Sequence, residues 1–80
     1  MAEIQVVSHL PGIFYHRPSP EEPYFVNPGD PVKVGDVIGL IEIMKSFNEV
    51  KADRAGKFLR YLVGNAEEIM PGQALAVIEG

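Results

Sequence analysis

The sequence predicts an all-β domain, a flattened barrel or sandwich with about four strands in each of two similar halves related by a pseudo-twofold axis. Two observations carry that expectation. Short apolar runs are punctuated by turn residues, and eight glycines and seven prolines in 80 residues argue against a helical bundle. The chain also repeats itself. Val6, Gly12 and Phe14 recur as Val50, Gly56 and Phe58 at an offset of 44, and Gly35, Ile41 and Glu42 recur as Gly72, Ile78 and Glu79 at an offset of 37.

Taken in order, Val6 to His9 reads as an opening strand and Gly12-Ile13-Phe14-Tyr15 as a second. The change of offset means that the first half holds seven extra residues between Gly12 and Gly35. Their natural place is about 16–24, where Pro18, Pro20 and Pro23 form no ladder but stiffen a projecting finger. Pro31-Val32-Lys33-Val34-Gly35 reads as the next short strand. Leu40 to Glu42 then copies the closing strand Ala76 to Glu79, and Val50 to Asp53 copies Val6 to His9. A helical stripe competes here, because Ile38, Ile41, Met44, Phe47 and Val50 recur every three residues after a possible Asp36 cap. The repeat overrules it and requires strand, tight turn, strand, with the turn at Met44-Lys45.

That turn breaks a local rule. Two-residue hairpin loops need positive φ, which suits Asn and Gly and not Met or Lys. Such conflicts mark candidate functional positions. In the other half the equivalent position is taken by the two chain ends, so Lys45 is expected at the opposite pole from the termini, free to project.

Composition bounds the function. A net charge of −4, from 11 acidic and 7 basic residues, argues against nucleic acid as a partner. No apolar run approaches ~20 residues and Met1-Ala2-Glu3 begins no signal sequence, so a soluble, cytoplasmic protein without a membrane partner is expected. The absence of cysteine removes disulfides, thiolate zinc and thiol nucleophiles. A single domain, 1–80, has room for one modest core and none for a deep catalytic cleft. His9 and His16 lack a surrounding constellation, and Glu21-Glu22 and Glu67-Glu68 read as solvated charge, so no catalytic and no metal-binding residue is expected.

Glu42-Ile43-Met44-Lys45 followed by Asn48-Glu49-Val50 resembles the attachment site of the biotinyl/lipoyl domain family, where Met-Lys sits on an exposed hairpin. Phe14-Tyr15-His16-Arg17-Pro18-Ser19-Pro20, running on to Tyr24-Phe25-Val26, is similar to the thumb of the biotin carboxyl carrier proteins of acetyl-CoA carboxylase. The resemblance covers about Val6 to Glu79. It implies a barrel-sandwich hybrid of two four-stranded antiparallel sheets, with biotin attached covalently to Lys45 by a biotin protein ligase. By the same resemblance Glu42, Met44 and Ser46 form the hairpin that the ligase recognises, and Arg17, Pro18, Ser19, Pro20, Glu21, Glu22 and Pro23 form the thumb.

The implied role is a non-catalytic carrier in fatty acid biosynthesis. It would take a carboxyl group from a biotin carboxylase to a carboxyltransferase acting on an acyl-CoA, acetyl-CoA first. Ile43 stands where the family usually has Ala, Ser46 where it usually has Met or another apolar residue, and Arg17 where it commonly has a Thr that contacts biotin. The alternatives are a lipoyl-type carrier, which typically has an acidic residue before the lysine, and an unmodified interaction module of the same fold.

Overall fold

Among the described residues of this computed structural model there are eight strands: β1 (Glu3–Val7), β2 (Gly12–Tyr15), β3 (Pro31–Val32), β4 (Val37–Ile43), β5 (Ser46–Lys51), β6 (Gly56–Tyr61), β7 (Glu67–Ile69) and β8 (Ala74–Glu79). The structure describes residues 2–80; residue 1, which the expected domain includes, lies outside them. Among the described residues there is no helix, and so none long and apolar enough to cross a membrane.

The strands form two antiparallel sheets, ordered β1-β8-β6-β3 and β5-β4-β2-β7. Exchanging β1–β4 with β5–β8 converts the first order into the second, which is the pseudo-twofold relation the repeat predicts. The halves interlock, because each sheet takes two strands from each half.

The correspondence extends to irregularities. In the β1/β8 ladder Val6 faces Ala76 and Val7 faces Ala74, leaving Leu75 as an extra residue; in the β5/β4 ladder Val50 faces Gly39 and Lys51 faces Val37, leaving Ile38 extra. Both bulged residues are fully buried. A bulge bends its strand and breaks the in-out alternation, which is why β8 buries four consecutive residues, Leu75 to Ile78.

The core is likewise doubled. Phe14, Ile41, Ile69 and Leu75 pack with Val63 in one cluster, and their counterparts Phe58, Ile78, Val32 and Ile38 pack in the other with Val6, Val26, Ala52 and Ala76.

One turn design recurs too. The Asp36 carboxylate accepts the Lys33 N–H at 2.9 Å and the Gln73 amide oxygen accepts the Met70 N–H at 3.0 Å, each over a left-handed glycine, Gly35 or Gly72. This turn ends β3 at Val32, earlier than the expected Gly35, since Lys33 to Asp36 closes on itself through the Asp36 N–H to the Lys33 carbonyl, 3.0 Å.

Gly12 and Gly56 mark the closest approaches between strands. A Cβ on Gly12 would overlap the Glu42 carbonyl oxygen, and one on Gly56 the Glu79 carbonyl oxygen. Glu42 and Glu79 are themselves repeat partners. Because the obstacle is backbone, Gly56→Ala must part β6 from β8. We expect it to cost about 1–3 kcal/mol, read as a lowered urea midpoint with an unchanged m-value.

Candidate functional site

The β4/β5 ladder closes with Ile43 facing Ser46, so Met44 and Lys45 alone make the loop. Both are left-handed, at φ 49° and 65°. Each such residue without the freedom of glycine costs about 1–2 kcal/mol, and the long, regular β4/β5 pairing holds them there. The repeat offsets map Ile43 onto Gly80 and Ser46 onto Ala2, and Ala2 and Gly80 exchange backbone hydrogen bonds of 3.3 and 3.1 Å. The chain ends thus occupy in one sheet the place that the Met44-Lys45 turn occupies in the other.

Met44 is 95% exposed, and Lys45 and Ser46 are exposed beside it. Among the described residues Lys45 has no salt-bridge partner, whereas Lys51 lies 3.8 Å from Glu49. A primary amine on a rigid, unobstructed tip can be reached by an enzyme's active site, and no neighbouring carboxylate competes for it.

Glu42, three residues before Lys45, points outward and accepts the Tyr15 hydroxyl at 2.8 Å. The bond to this carboxylate, with some desolvation and the charge itself, pushes the Tyr15 phenol above its ordinary value. Phe47 faces Glu42 across the ladder, and its ring lies 6.3 Å from that of Tyr15. The Asn48 amide donates to the Ile41 carbonyl at 3.3 Å, tying β5 to β4 just below the turn. The hairpin residues singled out from the sequence, Glu42, Met44, Lys45 and Ser46, therefore stand together on one end of one sheet.

The finger is a closed loop, with the Phe25 N–H donating to the His16 carbonyl at 2.9 Å and the Glu22 N–H to the Ser19 carbonyl at 3.1 Å. Glu21, Glu22 and Pro23 are exposed along it. Arg17 to Pro20 form one wall of a cleft of about 400 Å³, and Tyr15 and Phe47 form another. Finger and hairpin thus meet at Phe47, two residues beyond Lys45.

Sequence reasoning assigned His16 no role, and the structure makes it the root of the finger. Only 7% exposed, it stacks on Tyr61 at 3.7 Å and 9°, and Tyr24 meets its edge at 5.6 Å. Its Nε2–H donates to the Val63 carbonyl at 2.8 Å, and its backbone N–H donates to the Asn65 side-chain oxygen at 2.7 Å. The Tyr61 hydroxyl in turn donates to the Ile38 carbonyl at 2.6 Å, and burial raises its pKa. No local signal announces this cluster, because its partners lie 47 and 49 residues away in sequence.

Burial lowers the His16 pKa from its ordinary 6.5, outweighing the upward pull of the Val63 carbonyl and the Glu67 charge. The folded state therefore resists a proton that the unfolded chain accepts. The resulting stability is present above about pH 6.5 and declines as pH falls toward the folded value. Between pH 7.5 and 5.5 the urea midpoint of the wild type is expected to fall by more than that of His16→Gln, which does not titrate; equal falls would exclude His16 as the source.

Comparison with known proteins adds three findings. A family profile described as "Biotin-requiring enzyme" matches residues 4–78. The chain is 42% identical over 74 residues to the biotin carboxyl carrier protein of acetyl-CoA carboxylase from Pyropia yezoensis, covering 92% of this chain and 47% of that protein. It is 46% identical over 70 residues to the protein of the same name from Chlamydia muridarum, covering 88% and 43%. It therefore spans about half the length of these curated relatives. Among solved structures it superposes on the urea carboxylase of Kluyveromyces lactis with a TM-score of 0.79 at 28% identity, covering 99% of this chain and 6% of that one.

Proposed function

Because the chain belongs to the biotin-requiring enzyme family, we propose that residues 1–80 form a biotinyl domain whose Lys45 ε-amine carries biotin in amide linkage. The observation that carries this reading is the hairpin tip. Lys45 sits on a two-residue turn in a left-handed conformation, exposed and without a salt-bridge partner among the described residues. The residues present fit a tethered group, since the Lys45 side chain is exposed and no carboxylate among the described residues holds its amine.

Bound biotin supplies the ring nitrogen that takes up a carboxyl group. The chain itself supplies presentation. The stiff β4/β5 hairpin holds the tether away from the sheets. Glu42, fixed by Tyr15, and the exposed Met44 and Ser46 form the face that a biotin protein ligase reads. Residues 16–24 act as the thumb.

The domain works as a non-catalytic carrier between a biotin carboxylase and a carboxyltransferase whose acceptor is an acyl-CoA; relatives named biotin carboxyl carrier protein of acetyl-CoA carboxylase favour acetyl-CoA as that acceptor. Tethering raises the effective concentration of the cofactor at both enzymes. We place this work in the cytoplasm.

The test is transfer of label. Biotinylated protein incubated with a biotin carboxylase, ATP and radiolabelled bicarbonate should retain label through rapid gel filtration, while the unbiotinylated chain should not. Equal labelling of both would overturn the carrier role.

A further inference from the structure

The cleft between thumb and hairpin holds a charged group that presentation of the tether leaves unused. Arg17, immediately after His16, is half-buried, and its guanidinium carbon lies 5.5 Å from the centre of the Tyr24 ring. That contact fixes the cation against the thumb. Its Nε–H is buried without an acceptor, and among the described residues no carboxylate pairs with it. A buried donor left unpaired costs about 1–3 kcal/mol, and folded proteins keep few of them. The acidic residues on the same loop, Glu21 and Glu22, are exposed and do not reach it.

A guanidinium offers Nε–H and Nη–H as parallel donors spaced for the two oxygens of a carboxylate. The surroundings narrow the choice of carboxylate. Tyr15, Pro18, Pro20 and Phe47 line the same cleft, and such walls favour a flat organic ring over a hydrated free ion. Phe47 lies two residues from Lys45, roughly 7 Å along the strand. A biotinyl-lysine arm has about ten bonds between backbone and ring and extends on the order of 12 Å, so its end can enter the cleft.

We propose that the thumb cleft is a carboxylate subsite in which Arg17 holds the carboxyl group carried by biotin on Lys45, parking the loaded arm against the thumb. The proposal rests on the attachment proposed above and goes beyond it. A neutral side chain at this position would not supply the charge. The subsite therefore distinguishes a loaded arm from an empty one in this chain.

The test follows the Arg17 Nε–H resonance by NMR in three samples: unmodified protein, protein biotinylated on Lys45 as verified by mass, and the biotinylated protein treated with a biotin carboxylase, ATP and bicarbonate. The resonance is expected to shift and to be protected from exchange with water only in the third. In Arg17→Thr, which remains biotinylated, bound carboxyl label is expected to be lost at least roughly tenfold faster, the scale of one hydrogen bond to a charged group. A resonance that already shifts in the second sample, or does not move in the third, would overturn the carboxylate assignment, as would equal label lifetimes. A chain that takes no biotin at Lys45 would overturn the premise and the proposal together, and the mass identifies that case.

Discussion

Lys45→Arg should leave the domain folded and abolish biotin attachment. The side chain is exposed at the tip of a turn, keeps its charge, and contributes no core packing, so its stability is expected to stay within about 0.5 kcal/mol of the wild type. Attachment is a different matter. The ligase product is an amide formed on a neutral amine, and a guanidinium stays protonated in proteins and cannot serve. The other lysines do not substitute: Lys33 sits in the turn closed by Asp36, Lys51 lies beside Glu49, and Lys57 is within β6. The expected result is complete loss of avidin binding with an unchanged urea midpoint. Substantial unfolding would show that Lys45 is also structural.

Phe14→Ala should be the most damaging single truncation. Phe14 is fully buried, packs with Ile41, Val63, Ile69 and Leu75, and has His16 and Tyr61 at ring distances of 5.5 and 5.9 Å. Its ring also occupies the space that a Cβ on Gly39 would need, at 2.5 Å, so strand β4 is shaped around it. Removing a buried phenylalanine costs about 3–5 kcal/mol, a large part of the ~5–15 kcal/mol that stabilises a typical domain. The loss should also be felt at the finger, since His16 rests edge-on against the ring. We expect a sharply lowered thermal midpoint together with loss of His16 protection in hydrogen exchange; a midpoint within a degree of the wild type would contradict the assignment of Phe14 to the core.

The repeat made the hairpin legible. Because Ile41-Glu42 copies Ile78-Glu79 and Val50 copies Val6, the Met44-Lys45 turn could be located against a competing helical periodicity. Its two left-handed residues bear out the reading of that turn as a conflict between sequence and backbone.

The bulges at Ile38 and Leu75 were not legible, because an extra buried residue in an apolar run looks the same as a regular buried strand. Nor was the exchange of strands between halves, which depends on pairing across distant segments. The finger was visible as a proline-rich insertion, but its attachment through His16, Tyr61, Val63 and Asn65 was not. Those contacts join residues far apart in sequence, where no local pattern exists to be read.

The central claim, that Lys45 is the attachment residue, is tested most directly by intact mass followed by peptide mapping after incubation with a biotin protein ligase, biotin and ATP. One biotin per chain, confined to the peptide that contains Lys45, is the predicted result. An unmodified mass while the same ligase modifies a control carrier, or biotin placed on Lys33, Lys51 or Lys57, would contradict it.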